Sequence, residues 1–264
     1  MKHHSFALAA MAAAVHAASA YAQVATPAAT LPEVVVTGNP LGSDLFELAA
    51  PASLLQGAEL FRLRAPTLGD TLDGLPGVAA TGFGPNASRP VIRGLDGDRI
   101  RILQNGAGMH DASSLSFDHA VALDPLVIER AEVVRGPAAL FYGGNAVGGV
   151  VNVIDNRIPQ AAISGISGRA ETLFGGAARE KATGVVLEAG NGSLALHADV
   201  HTRDTDDLRI KGFARSARLR AADPQAVEAQ GVLPNSASRS DGGAVGLSHT
   251  WANGYVGLSR SAYN

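Results

Sequence analysis

The chain has 264 residues, 17% of them charged and 5% aromatic, with 31 glycines, no cysteine and a formal net charge of −3. The slightly acidic balance offers no electrostatic reason to bind nucleic acid, and without cysteine the chain cannot use disulfides. No apolar run of 18 residues follows the first 22, so no transmembrane helix is predicted, and stability must come from packing or from a closed sheet.

Residues 1–22 read as a secretory signal peptide. Lys2 is their only charge, Phe6 to Ala18 is an alanine-rich apolar run too short to span a bilayer, and Ala20-Tyr21-Ala22 supplies an A-x-A cleavage pattern. Cleavage is predicted after Ala22, which takes the net charge to about −4 once Lys2 is lost. Residues 23–50 read as a flexible arm, beginning with alanine, proline and threonine without periodicity. Within it, Leu31, Pro32, Glu33, Val34, Val35, Val36, Thr37 and Gly38 form a short stretch of high β-propensity between a proline and a glycine. Such a stretch is either the first strand of the next domain or a free strand able to add itself to a partner's sheet edge.

Residues 51–160 read as one α+β unit, a small mixed sheet with short helices. Pro66 to Leu72 predicts a short helix stopped by Gly74 and Pro76, while Val78–Thr81 and Pro90–Arg93 predict short strands. Arg99 to Leu103 alternates cleanly and ends at the Asn105-Gly106 turn pair. The unit closes with Glu129 to Asp155, ERAEVVRGPAALFYGGNAVGGVVNVID. Here Val133 and Val134 end a strand, Gly136 permits a tight turn, Pro137 opens a single helical turn, and Gly143-Gly144 stops it. Val147 to Ile154 is a β-branched strand interrupted by Gly148 and Gly149, a sign that something else approaches it closely.

After Pro159 the pattern changes to alternating segments separated by turns. Leu194, Leu196, Ala198 and Val200 share one face, and Ser193, Ala195, His197, Asp199 and His201 the other. A preceding strand over 182–189 meets this one at Gly190-Asn191-Gly192, and a first strand spans about Ile163 to Phe174. A fourth runs to Trp251, and Asn253-Gly254 turns it into a fifth, in which either Arg260 or Tyr255 must sit awkwardly. Strands near ten residues long, apolar outside and polar inside, with short turns at one end and a long polar stretch (204–240) at the other, match a transmembrane β-barrel. Residues 161–264 are therefore read as its first strands, about five, with Trp251 in the aromatic girdle.

Taken together these segments resemble the TonB-dependent outer-membrane receptors. LPEVVVTG at 31–38 is similar to the TonB box, IRGLDGDRIRILQNG at 92–106 to the central plug strands, and the Glu129–Asp155 segment to the closing signature of the plug. The resemblance implies a plug inside a 22-stranded barrel, energised by TonB of the inner membrane, in Gram-negative outer-membrane lipid. It also implies that Arg93 and Arg135 are plug arginines facing barrel carboxylates; the lesser alternative is surface arginines on exposed turns.

The stretch from Gly108 to Pro159 is further similar to the zinc-uptake receptors of neisserial type, in which a plug Asp-His pair contributes to metal binding. The matching pair here is Asp118 and His119, with a second pair, His110 and Asp111, eight residues earlier. Imidazole nitrogen and carboxylate oxygen suit Zn2+. Adjacent strand residues point opposite ways, so both members of a pair reach one ion only in an irregular loop. The predicted cargo is zinc, with haem or another metal chelate such as a siderophore as the alternative, since histidine also ligates haem iron. His197, Asp199 and His201 are read as polar lining, with a secondary metal role on their shared face as the minor alternative.

A barrel in lipid must close, so five strands predict the N-terminal third of a receptor, as a fragment or a truncated product. The reading from another class is a truncated plug-like module that binds TonB and transports nothing. An enzyme is not predicted: the chain has no nucleophile elbow, no HExxH and no phosphate loop.

Overall fold

The structure, a computed structural model, describes residues 52–84, 86–109, 112–116, 119–143 and 145–264, all within one of the chain's two compact units. The signal peptide, the arm with Leu31–Gly38, and His110, Asp111 and Asp118 lie outside the described residues.

β1 (Ala52–Gln56) leads into two short helices, α1 (Gly57–Leu63) and α2 (Leu68–Leu72). α2 starts two residues later than the sequence suggests because Thr67 is its cap: the Asp70 N–H donates to Thr67 Oγ1 at 3.1 Å, and Thr67 Oγ1 donates back to Asp70 Oδ2 at 2.7 Å. β2 (Val78–Ala80) and β3 (Pro90–Ile92) pair as a small ribbon. β4 (Ile100–Gln104), β5 (Ala107–Gly108), β6 (Arg130–Val134) and β7 (Gly149–Ile154) join β1 in a five-stranded mixed sheet of order β1-β6-β7-β4-β5. Only β4 and β7 run parallel.

Both faces of this sheet are covered, so β7 is buried at every position. Ala131, Val133, Val151 and Val153 pack under Leu55, Leu60, Leu68 and Leu72. On the opposite face Val134, Val150 and Leu103 pack on Ala139 and Ala146. That second face also buries Glu132 and Asn152, which stand opposite one another and are joined by an Asn152 Nδ2 bond to Glu132 Oε2 at 3.1 Å. The single helical turn predicted after Pro137 is a 3-10 turn, Pro137–Tyr142, entered through Gly136 at φ +81°.

β7 begins at Gly149 rather than at Val147, which is exposed. At Gly149 (φ +149°) a Cβ would lie 2.8 Å from Val134 O and 2.9 Å from Ile92 Cδ1. The neighbouring strand and the core both fill the space a side chain would need.

The rest of the described chain forms one antiparallel sheet of order β14-β13-β10-β9-β8 and a small hairpin. Its strands are β8 (Ser164–Gly175), β9 (Glu180–Asn191), β10 (Leu194–Thr205), β13 (Ser238–Trp251) and β14 (Gly254–Tyr263). The sheet is open, with β8 and β14 at its edges. The 204–240 stretch is not wholly irregular: it holds β11 (Leu208–Phe213), α3 (Ala217–Ala222) and β12 (Gln230–Leu233). This hairpin is held at its base by long-range bonds: Asp207 Oδ1 accepts from the Ser236 and Ala237 N–H groups, both at 2.9 Å. An α+β plug followed by the first strands of an incomplete antiparallel barrel is thus the fold the chain adopts.

The two faces of the large sheet are opposite in character. Leu187, Leu194, Leu196, Val200, Val245 and Leu247 are exposed on one, Val245 to 58%. On the other, His197, Asp199, His201 and Arg203 are buried, His197 completely. Cross-strand pairing settles the awkward fifth strand, since directly opposed residues share a face. Tyr255 opposes the buried Thr250, whereas Arg260 opposes Val245 and so stands in the apolar row.

The crowding at Gly149 makes a direct prediction. Gly149→Ala adds a methyl where backbone and core both intrude, at a strained φ. It is expected to destabilise the plug by about 1–3 kcal/mol, measured as a lower urea midpoint with an unchanged m-value.

Candidate functional site

The inward face of the sheet rests on the plug through charged and polar groups, and this seam is the site the fold builds. It begins at the turn before β6, where Asp124 is the one acid in the apolar run from Ala120 to Ile128. Arg203, on the inward row of β10, meets it with two near-parallel bonds: Nε to Asp124 Oδ2 at 3.0 Å and Nη2 to Asp124 Oδ1 at 2.9 Å. Both side chains are 1% exposed, and Glu180 of β9 pairs with the same guanidinium. One cation therefore serves two carboxylates, one from the plug and one from the sheet.

A second cluster forms just past β7. Asp155 accepts Gln104 Nε2 and Asn105 Nδ2, each at 2.7 Å, which ties it to the β4–β5 turn. Arg157 stands 2.9 Å from Asp155 and 3.9 Å from Asp199 of β10. Asp199 in turn lies 3.0 Å from His197 Nε2, and His197 Nδ1 lies 3.4 Å from Glu188 Oε1 on β9. A run of charged groups thus passes from the plug strands into the wall. Two further links secure the edges: Arg64, after α1, pairs with Glu171 of β8, and Arg169 Nη2 donates to Ile128 O at 2.9 Å. Opposite β13, Ser248 Oγ donates to Pro159 O at 2.6 Å, and the Arg157 carbonyl occupies the space a Cβ would take at Gly246.

His201 lies beyond this run, its ring tilted against Tyr263 with centroids 5.8 Å apart and neither ring nitrogen hydrogen-bonded. Tyr263 also lines a cavity of about 260 Å³ between the plug and β14, together with Gln104, Met109, Ala122 and Arg157.

On the plug side, burial pushes the Glu129 carboxyl above its ordinary value. Glu188 adds to the rise, while Arg169, Arg130 and His197 oppose it. Burial, with a smaller contribution from Arg93, pulls the Arg135 guanidinium below its ordinary value.

Of the residues singled out from the sequence, Arg135 is buried inside the plug and donates to Pro76 O and Ser53 Oγ. Arg93 is exposed at φ +52°, its N–H bonded to Gly77 O at 2.9 Å. His119 is exposed, its N–H 3.3 Å from Ser116 O. Among the described residues no group of three or more His, Asp or Glu side chains is arranged to hold a metal. The seam residues Arg64, Asp124, Arg157 and Arg203 were not singled out from the sequence. Their only sequence signal is a lone charge in an apolar run, or on an inward row of a strand.

A small mixed sheet seated on the polar face of an antiparallel sheet, whose other face is apolar and exposed, has the architecture of a plugged β-barrel. Residues 44–150 match the family model described as the TonB-dependent Receptor Plug Domain. That segment is thus similar to the plug domain of TonB-dependent receptors. It is 34% identical over 125 residues to a vitamin B12 transporter BtuB of Vibrio vulnificus, covering 46% of this chain and 20% of that one. It is also 34% identical over 119 residues to a hemin receptor of Yersinia pestis, covering 45% of this chain and 17% of that one. Among solved structures, the copper transporter OprC superposes with a TM-score of 0.63 at 20% identity, covering 80% of this chain and 30% of that one, a likeness of fold. The chain spans about a fifth of the length of the curated relatives it matches.

The seam makes two predictions. Removing Arg203 leaves Asp124 and Glu180 buried together without a counter-charge, whereas removing the Asp124 charge leaves Arg203 still paired to Glu180. Arg203→Met is therefore expected to cost about 3–5 kcal/mol, more than Asp124→Asn, in equilibrium unfolding of the chain. Equal costs would show that Glu180 does not share the guanidinium. For Glu129, the folded-state pKa lies above its ordinary 4.5. Its contribution is fully present below about pH 4.5 and is lost as pH rises through the raised value. Glu129→Gln should remove that loss, so the variant gains stability relative to the parent as pH climbs from 4.5 towards neutrality.

Proposed function

We propose that the chain is the N-terminal portion of a TonB-dependent outer-membrane transporter that imports haem or a metal chelate. The observation that carries this reading is the inverted sheet: an apolar outward face suited to lipid, and a charged inward face seated on a matched plug domain. In this reading residues 1–22 direct export and are cleaved after Ala22, residues 23–50 are a periplasmic arm, residues 51–160 are the plug and residues 161–264 begin the barrel. Leu31 to Gly38 is the TonB box, a strand that pairs with an edge of TonB.

Haem or a chelate is preferred to free zinc because the similar proteins include a hemin receptor and a vitamin B12 transporter, and none of the three compared proteins bears zinc in its name. Zinc remains the reading carried by the His110-Asp111 and Asp118-His119 pairs, whose chemistry also suits an axial imidazole on haem iron. Arg93 and Arg135 are proposed to stabilise the plug and its contact with the wall.

The test uses the full-length parent in an outer membrane. Hemin-dependent growth and binding should weaken with His110→Ala combined with His119→Ala. Deleting Leu31–Gly38 should abolish uptake while leaving binding intact. Unchanged hemin binding, with zinc accumulation lost on Asp118→Ala and His119→Ala, would reverse the choice of cargo.

A further inference from the structure

Beyond the apolar band of the sheet, at the end that carries the β11–β12 hairpin, the last outward row holds two cations and one acid. The pairing register places Lys181 of β9 and Arg239 of β13 on either side of Asp204 of β10, in the row above Thr183, Thr202 and Asp241. The hairpin continues from there. Leu208 to Arg220, LRIKGFARSARLR, carries Arg209, Lys211, Arg215, Arg218 and Arg220 with no acid among them.

The acids that flank this run are already engaged. Asp206 pairs with Arg179 at 3.4 Å, and Asp207 holds the Ser236 and Ala237 N–H groups. Glu228 and Asp223 both pair with Arg215, at 3.8 and 3.9 Å. By contrast, Lys181, Arg209, Lys211, Arg218 and Arg239 are exposed and have no ion pair among the described residues. Apolar side chains are interleaved with them: Phe213, Leu219, Val227, Val232 and Leu233 are all exposed, and the Arg220 guanidinium lies 3.9 Å over the Phe213 ring.

A purely solvated charged loop has no reason to expose an aromatic and four aliphatic side chains beside its cations. Cations that bind anions, mixed with apolar groups that enter an acyl boundary, are the composition of a membrane-surface element. Free phosphate in solution would use the cations and leave the apolar groups without a role. The geometry points to a docking surface for phosphate-bearing lipid headgroups, formed by the β11–β12 hairpin, α3, and the rim residues Lys181 and Arg239. This surface rests on the proposed transmembrane reading, because its rim residues Lys181 and Arg239 stand in the outward row of the sheet.

The test is flotation of the full-length parent, refolded with vesicles of phosphatidylcholine alone or of equimolar phosphatidylcholine and phosphatidylglycerol, with protection of the barrel from protease reporting insertion. The expected result is about a tenfold or greater preference for the anionic vesicles, weakened by salt. Combining Arg209→Gln, Lys211→Gln and Arg218→Gln should reduce it to about twofold, while Arg209→Lys with Arg218→Lys should retain it. These exposed, unpaired positions leave the seam untouched, so insertion into neutral vesicles should match the parent. Insertion into both vesicle types with no anionic preference, or a preference the neutralised variant keeps, overturns the docking surface and leaves the transmembrane reading standing. Failure to insert into either overturns both.

Discussion

The structure depends on a sheet that is inside out by the standards of a water-soluble protein. Five strands carry apolar side chains on the open face and imidazoles, carboxylates and guanidinium groups on the covered one. Charged groups leave water only when they are paired, so whatever covers the inward face must be polar at its surface and complementary in detail. The plug meets that demand with Asp124, Arg157 and Arg64, each placed opposite a charge of the other sign on β8 or β10. The plug keeps its own apolar core separate, within and on both faces of the mixed sheet.

Local chemistry made much of this architecture readable. The Glu129–Asp155 segment was legible because its glycines and proline have reasons that act within a few residues: a positive φ at Gly136, a first-turn proline at 137, and a strand start at Gly149 into which Val134 and Ile92 intrude. The alternation in Leu194–Val200 was legible because strand period alone assigns faces. The hairpin inside 204–240 was missed, since its strands are short and its support comes from Asp207 and from Ala177, which lie outside it.

The seam was not legible, and its sequence separations show why. Asp124 and Arg203 are 79 residues apart, and Arg64 and Glu171 are 107 apart. No periodicity or spacing rule connects residues across such distances. The family resemblance directed attention to Arg93 and Arg135. Arg135 donates to Pro76 and Ser53 of the plug, and Arg64 and Arg157 form ion pairs with the wall.

A polar seam also differs from an apolar one in how it lets go. An apolar interface loses its free energy in proportion to area, and exposing it to water is unfavourable throughout. A seam of ion pairs and hydrogen bonds exchanges its partners for water, so its net stabilisation is small relative to the strength of its individual bonds. Such a seam fixes position sharply through bidentate geometry, as at Arg203 and Asp124, and still separates without exposing apolar surface. Gly246, which admits the Arg157 backbone without an interlocking side chain, has the same consequence. For the proposed role, in which a plug closes a barrel and yields to a pull on its N-terminal arm, a wall of charges is the better adhesive. The apolar core on both faces of the mixed sheet holds the plug itself together.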